Sequence, residues 1–486
     1  MRLLAPIAIS LTACISCLAD GHDDAPPHTA EPRETLESLT TQDRAHYQPP
    51  NSQLPWELMD GIERARLGSS LFSPSRFLAL NEPRPAPIRF DPWVTQPSAY
   101  GFTPGAPLLP DPLETPLRPL RNFEQYLYEG LSSTTNIFYT LLLQGLSRTT
   151  NDGSGDAYQN WSGTGRLDVN LQTVFAKSKS FGTTMLQVLF REGVVLGAPS
   201  DYNASSAIGT FYIPNSLSMG DSASLMTLLV QQGFLDDRLT VTVGKLSANN
   251  YFMVNYFADD ESAQFLNGSL DGNDVFSAGF ANHSPGVVVQ GIPSADLYVN
   301  AGIFEIASNN TSTFDGFDEG LYFATLEVGY TPKGDAGITR YSATFAVTNE
   351  GRGWSANHLK QTNGMLGFIA QKCLANNLAP FIECAFGSDE NVAASTEVNL
   401  GLGIFSPLGR TDDYAGIGWS WAQPTSAYGD LAPTDDPRST QVLEVFYRAQ
   451  LTNSMQLSPD LQVFINPANG DDSPVFAFSL RLKTQF

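Results

Sequence analysis

Residues 476–486 read Phe-Ala-Phe-Ser-Leu-Arg-Leu-Lys-Thr-Gln-Phe, and this alternation of apolar and polar side chains constrains the fold more than any other stretch of the chain. Successive side chains of a strand point to opposite faces. Phe476, Phe478, Leu480, Leu482 and Phe486 therefore share one face, and Ser479, Arg481, Lys483 and Gln485 share the other. One face suits lipid and the other suits water. An aromatic carboxy terminus in that register is expected of the last strand of an outer-membrane β-barrel.

The 486 residues are 42% hydrophobic and 16% charged, which excludes a disordered chain and leaves material for one large domain. Beyond the extreme amino terminus no run approaches the roughly 20 apolar residues of a spanning helix, so a closed barrel is the remaining spanning structure. Residues 1–19 read as an export signal, with basic Arg2, an apolar run from Leu3 to Ala13, and small residues for cleavage at Cys17-Leu-Ala19. Leu11-Thr-Ala-Cys14 also has the form of a lipoprotein box, which would make Cys14 an acylated first residue. Cys373 and Cys384 are the cysteines of the chain body, and in an oxidising compartment they are expected to form a structural disulfide. Two free buried thiols are the alternative.

Nineteen of the 32 prolines precede residue 121, so residues 20–121 are expected to be a proline-rich periplasmic extension without regular helix or sheet, apart from one short helix near Trp56–Leu67. Residues 1–121 hold 14 acidic and 10 basic side chains, leaving 36 acidic and 17 basic for residues 122–486. Such an acidic body argues against nucleic acid as a partner, because phosphate binding needs clustered Lys and Arg. It also disfavours an anion-selective pore.

From about Asn136 the chain breaks into short alternating segments between Gly, Asn, Asp and Ser clusters, as barrel strands do. Leu167, Val169 and Leu171 oppose Arg166, Asp168, Asn170 and Gln172; Leu443, Val445 and Tyr447 oppose Glu444, Phe446 and Arg448; Leu461, Val463 and Ile465 oppose Asp460, Gln462 and Asn466. Each polar row is expected to line a lumen. At about 9–11 residues per spanning strand, residues 122–486 accommodate sixteen strands, with eighteen the neighbouring count. A barrel of that size leaves an aqueous channel.

Val243-Gly-Lys-Leu-Ser-Ala-Asn-Asn-Tyr-Phe252 and the following Tyr256-Phe-Ala-Asp-Asp-Glu-Ser-Ala-Gln-Phe-Leu266 resemble the carbohydrate-selective porins of the OprB family. The resemblance continues in Gly403–Asp413, Gln441–Leu451 and Leu457–Pro467, and Trp161–Asp168 looks like the family's early strands, so it covers about residues 130–486 in order. It implies an all-β, sixteen-stranded transmembrane antiparallel barrel in the outer membrane of a Gram-negative-type bacterium, passing glucose and related sugars down their gradients. Outer-membrane lipid, the barrel assembly machinery acting on the C-terminal strand, and a homo-oligomer are the partners implied. The long proline-rich arm and the acidity depart from the family pattern.

A sugar-selective pore needs fixed hydrogen-bonding groups and nearby aromatics, whereas ion selectivity needs only a ring of charge. The channel-lining candidates are Arg166, Asp168, Gln187, Arg191, Lys245, Glu444, Arg448, Asp460, Arg481 and Lys483. Carboxylate–guanidinium pairs can offer strong hydrogen bonds to hydroxyls while nearly cancelling each other's field, or they can simply satisfy one another across the wall. Tyr251, Phe252, Phe257 and Phe265 either form a stacking surface or anchor an inward loop. No enzyme, cofactor or metal site is expected. Adjacent residues of a strand point apart, so Asn282-His283-Ser284 cannot itself form a triad, and no His or Cys cluster has zinc spacing. Asp271-Gly-Asn-Asp274 reads as turn-forming composition ahead of a calcium loop, and Gly163-Thr-Gly165 reads as a turn. A general non-selective porin, and a structural or adhesive barrel plugged by the arm, are the rival functions.

Overall fold

The computed structural model describes residues 108–149, 159–178, 182–199, 202–210, 212–235, 237–277, 283–294, 296–306, 317, 320–332, 339–348, 363–372, 374, 377–388, 394–410, 413–425, 438–467 and 473–486. Helix α1 (Glu114–Leu131) leads into sixteen strands: β1 (Ser133–Leu146), β2 (Trp161–Ser178), β3 (Gly182–Leu196), β4 (Ser222–Phe234), β5 (Leu239–Leu246), β6 (Ser284–Ser294), β7 (Leu297–Glu305) and β8 (Tyr322–Tyr330), then β9 (Arg340–Thr348), β10 (Asn363–Gln371), β11 (Leu378–Gly387), β12 (Ala394–Phe405), β13 (Tyr414–Pro424), β14 (Thr440–Gln450), β15 (Met455–Ile465) and β16 (Val475–Gln485). Every strand pairs antiparallel with its sequence neighbours, and β16 returns to β1 with Phe138 opposite Gln485 and Leu146 opposite Ala477. Closure leaves no edge strand, so the backbone polar groups of the wall are satisfied within the sheet, as hydrocarbon requires.

The period-two rows sort as the sequence demands. On β16, Phe476, Phe478 and Leu480 are 40%, 57% and 44% exposed on the outside, while Arg481 and Lys483 are buried in the lumen. Around the barrel the outward row continues through Leu143, Leu228, Val230, Leu326, Phe345, Ile382 and Val445, all exposed to the surroundings. Exposed leucine, valine and phenylalanine in one band are what a lipid solvent stabilises and water does not.

Gly163-Thr-Gly165 is not a turn: it lies inside β2, opposite Leu143–Leu141 of β1. Its glycines serve packing. A Cβ on Gly165 would fall 2.1 Å from the Tyr139 hydroxyl, so the missing side chain is the space that this ring occupies on the outer wall. Helix α1 likewise enters the proline-rich segment further than the composition suggests, with Pro116 in its first turn and Pro119 inside it. Pro116 removes an amide that has no intrahelical partner, so its cost is small, whereas Pro119 lies beyond the first four positions and costs the helix one hydrogen bond, to Thr115 O. Just before α1, Leu109 N donates to Leu451 O and Asp111 accepts from the Ser454 hydroxyl at 2.6 Å, which ties the chain to the β14–β15 turn at the rim where both ends of the barrel lie.

The expected Trp56–Leu67 helix, the 1–19 signal and Cys373 lie outside the described residues. Cys384 sits on β11 opposite Phe368, in the outward row with Ile382 and Phe386, and is a free thiol.

Leu480 stands at the middle of β16, 44% exposed and opposite Leu143. Leu480→Arg is expected to destabilise the folded barrel by about 2–4 kcal/mol, and Leu480→Phe to leave it nearly unchanged. Urea titration in lipid vesicles, read by heat-modifiable mobility, measures the difference.

Candidate functional site

The described part of the connection between β5 and β6, residues 247–277, folds into the lumen and crosses it. Helix α2 (Ala204–Ile208) lies between β3 and β4, and the loop after β5 carries the short helices α3 (Gly268–Gly272) and α4 (Asp274–Ser277), where Asn267 caps α3 by accepting from Ser269 N at 3.1 Å. Residues 251–258 and 262–270 of this loop are buried, a degree of enclosure unusual for a connection, whose backbone groups must then find partners within the protein.

Those partners are buried carboxylates on the inward rows of four strands. Glu327 on β8 accepts from Met253 N at 2.8 Å, and Glu383 on β11 accepts from the Asn255 amide. Glu397 on β12 accepts from the Ser269 hydroxyl and from Val275 N at 3.2 Å. Glu444 on β14 takes two successive amides, Leu266 N at 2.6 Å and Asn267 N at 3.0 Å. Donors from the wall meet the loop carbonyls in the same way. Arg340 on β9 donates to Val254 O and pairs with Glu327 at 2.7 Å, both side chains being fully buried. Arg481 donates to Glu261 O and Gln264 O, and Tyr414 donates to Phe257 O at 2.9 Å.

The loop aromatics act as anchors. Tyr251, Phe252, Phe257 and Phe265 are all 1% exposed or less, which removes them as a stacking surface. Phe252 meets Phe304 edge-on at 6.1 Å, Phe257 meets Phe405 at 6.0 Å, and Phe265 lies between Phe446 at 4.9 Å and Phe381 at 6.0 Å. Asp271-Gly-Asn-Asp274 forms the junction between α3 and α4, with Asn273 at φ 60°.

Between Tyr251 and Phe276 the residues that keep partial exposure are Asp259, Asp260, Glu261, Asp271 and Gly272. The loop thus presents an acidic edge to the channel. Opposite it stand Arg166 and Asp168 of β2 and Arg191 of β3. Arg166 Nε bonds Asp168 at 2.8 Å and its Nη1 bonds Glu261 at 2.5 Å, while Arg191 bonds the other Asp168 oxygen at 2.6 Å and approaches Glu261 at 3.6 Å. Two cations and two anions alternate in one array, of which Arg191 and Glu261 are each 20% exposed. Burial works to raise the Glu261 pKa, but Arg166 and Arg191 more than offset it and bring the carboxyl down to about 2. Asp271 is held well above the usual carboxylate range by burial and then by Glu261, Asp259 and Asp260. Asp259 is raised by burial and by Glu383, and Asp274 by burial and by Glu397.

The remaining candidates divide by face. Gln187 is buried in the lumen and donates to Asn170 at 3.2 Å. Arg448 lies 5.5 Å from the Tyr414 ring centre, Lys483 donates to the Ser262 hydroxyl at 2.6 Å, and Asp460 is buried beside Gln462. Lys245 does not join them. It stands opposite Leu228, which is 45% exposed, and so belongs to the outward row near the end of β5. His283 lies just before β6 with Nδ1 2.9 Å from Met226 O, and burial, Arg191 and Lys245 bring it down to about 4. Glu327, Arg340, Glu383 and Glu397 were not among the sequence candidates. Their signal is a single charged residue at an inward position of a strand, as in Leu326-Glu-Val328.

Glu444→Ala leaves two buried loop amides without an acceptor, at a cost of about 1–3 kcal/mol each, and is expected to raise single-channel conductance and its noise, whereas Glu444→Gln retains a carbonyl acceptor and changes both less. Asp271 supplies a pH test. Its folded pKa lies above the unfolded value of about 3.9, so its charge opposes folding at neutral pH and ceases to matter below about pH 4. Asp271→Asn is therefore expected to raise the melting temperature at pH 7 and leave it unchanged at pH 3, as measured by thermal scans of heat modification.

A family model for carbohydrate-selective porins, OprB family, matches residues 131–377 and 370–486. Porin AaxA of Chlamydia caviae is 27% identical over 278 residues, 56% of this chain and 59% of that protein. Porin AaxA of Chlamydia abortus is 25% identical over 280 residues, 56% of this chain and 58% of that protein, so the match spans less than two thirds of either relative. Among solved structures, OprB of Pseudomonas putida at high pH superposes with a TM-score of 0.61 at 14% identity, over 76% of this chain and 97% of that one. The outer-membrane channel DcaP of Acinetobacter baumannii does so at 0.50 and 10% identity, over 74% and 98%. At these identities the structural likeness is one of fold.

Proposed function

The chain belongs to the OprB family of carbohydrate-selective porins, and from that premise we propose that it is a passive outer-membrane pore for neutral sugars of about glucose size. The observation that carries the sugar reading is the Arg166–Asp168–Arg191–Glu261 array. Its four charges sum to zero, so its long-range field is weak, while its guanidinium and carboxylate edges remain strong hydrogen-bonding groups. Arg191 and Glu261, each 20% exposed, are the edges of the array that water or a hydroxylated solute can reach. A solute that carries many hydroxyls and no charge exchanges water for such an array with little loss, whereas an ion meets charges already neutralised.

Passage needs no covalent step and no energy input: the wall and loop offer a graded series of hydrogen bonds and the gradient sets direction. Residues 1–19 would direct export, 20–121 would stay in the periplasm, and the C-terminal strand would be the segment that the barrel assembly machinery takes up.

Liposomes carrying the mature protein should swell faster in glucose than in an uncharged amino acid of similar size. Arg166→Gln removes a hydrogen-bonding charge worth on the order of 1.5–3 kcal/mol and should bring the two rates together, with the barrel still heat-modifiable. Equal rates in the wild type would reduce the reading to a general pore.

A further inference from the structure

The connection from β3 to β4 also folds inward, carrying helix α2 (Ala204–Ile208), and encloses a cavity of about 350 Å³ against the starts of β2 and the end of β3. This is the mouth opposite the two ends of the barrel, the extracellular one in the reading above. The volume falls in the range of about 300–1,000 Å³ typical of small-molecule sites.

The lining has an unusual chemistry for a mouth built on so acidic a chain. Ser162, Thr164, Ser205, Asn215 and Ser218 present hydroxyls and an amide, Tyr202 presents a ring, and among the described residues of the lining there is no Asp, Glu, Lys or Arg. The site is also held in shape. Asn215 Nδ2 donates to Thr164 Oγ1 at 3.1 Å, and Asn215 Oδ1 accepts from Leu217 N at 3.1 Å. Pro214 O takes the Gln144 and Gln462 amides of β1 and β15, which flank β16 in the wall, at 3.1 and 2.9 Å. Ser216 N donates to Leu266 O at 2.9 Å and Gly268 N to Ile213 O at 2.8 Å, which joins the floor of the cavity to the constriction loop. Each lining hydroxyl is a donor with two lone pairs, so one internal hydrogen bond leaves it capacity for a ligand.

We propose that this cavity is an entry site for a neutral polyhydroxylated ligand of hexose size, bound at the mouth before it reaches the charged array. The proposal rests on the sugar-porin reading and adds to it a second, uncharged recognition step. The two sites share a strand: Thr164 lines the cavity, and Arg166, two residues along β2 and about 6.8 Å further in, belongs to the array. That spacing is about one sugar ring. Hydroxyl-for-water exchange at the mouth selects neutral polyols without a field that would draw ions, and a ring leaving Thr164 meets Arg166 before it loses the last contact.

The test is glucose block of ion current through the intact protein, inserted in one orientation in planar bilayers, with glucose added to either side. Ser205→Trp and Ser218→Trp each place an indole in the cavity from the loop, far from the array. The expected result is a half-blocking glucose concentration raised about tenfold from the extracellular side in both variants, the size of change that two lost neutral hydrogen bonds produce, with the periplasmic value unchanged. Unchanged extracellular block in both variants, with heat-modifiable barrels and normal ion conductance, overturns the entry site and leaves the sugar-porin reading standing. Absence of block from either side in the wild type overturns both.

Discussion

The structure depends on buried inward carboxylates that accept hydrogen bonds from a loop. Glu327, Glu383, Glu397 and Glu444 stand on four different strands, each fully or nearly fully buried, and each takes an amide or hydroxyl of the segment between β5 and β6. A buried carboxylate without partners would be strongly unfavourable, and a buried loop with unsatisfied amides equally so. Each therefore requires the other. The sixteen-stranded wall sets the diameter, and these contacts set how much of it remains open.

The same arrangement decides where charge meets water. Because the aromatics and the helical turns of the loop are turned to the wall, the edge left facing the channel is Asp259, Asp260, Glu261 and Asp271. Arg166 of β2 and Arg191 of β3 meet that edge at Glu261, and Arg481 and Lys483 of β16 hold the same segment at Glu261 O, Gln264 O and the Ser262 hydroxyl. Contact with Arg166 and Arg191 holds Glu261 ionised, while burial and then crowding among the acids push Asp259 and Asp271 towards their neutral forms. The constriction is thus less negative than a count of its carboxylates suggests.

The wall was legible in the sequence because a membrane strand has two solvents and a strict period of two. Arg481 and Phe478 could be placed on opposite faces from the order of residues alone, and so could Glu444, Arg448 and Asp460. Lys245 was placed wrongly for the same reason that it looked informative: it adjoins the loop, but the ladder puts it beside Leu228 on the outer row. The loop aromatics were readable only as two alternatives, since a stacking surface and a wall anchor have the same composition. The Gly163–Gly165 pair shows the limit of turn rules, because a glycine opposite a tyrosine ring on a sheet has no local signature. Contacts such as Glu397 with Ser269, 128 residues apart, follow from closure of the barrel and not from any local pattern.

The loop between β5 and β6, held by wall carboxylates, narrows a wide barrel. The most direct measurement is the size cut-off for neutral polymers, with single-channel conductance recorded in the same bilayers, in a chain whose residues 248–283 are replaced by a short Gly–Ser turn. Such a chain is expected to give a barrel that still folds, admits distinctly larger polymers and conducts several times more current, as an unobstructed barrel of this strand number should. An unchanged cut-off and conductance in a folded barrel would contradict it.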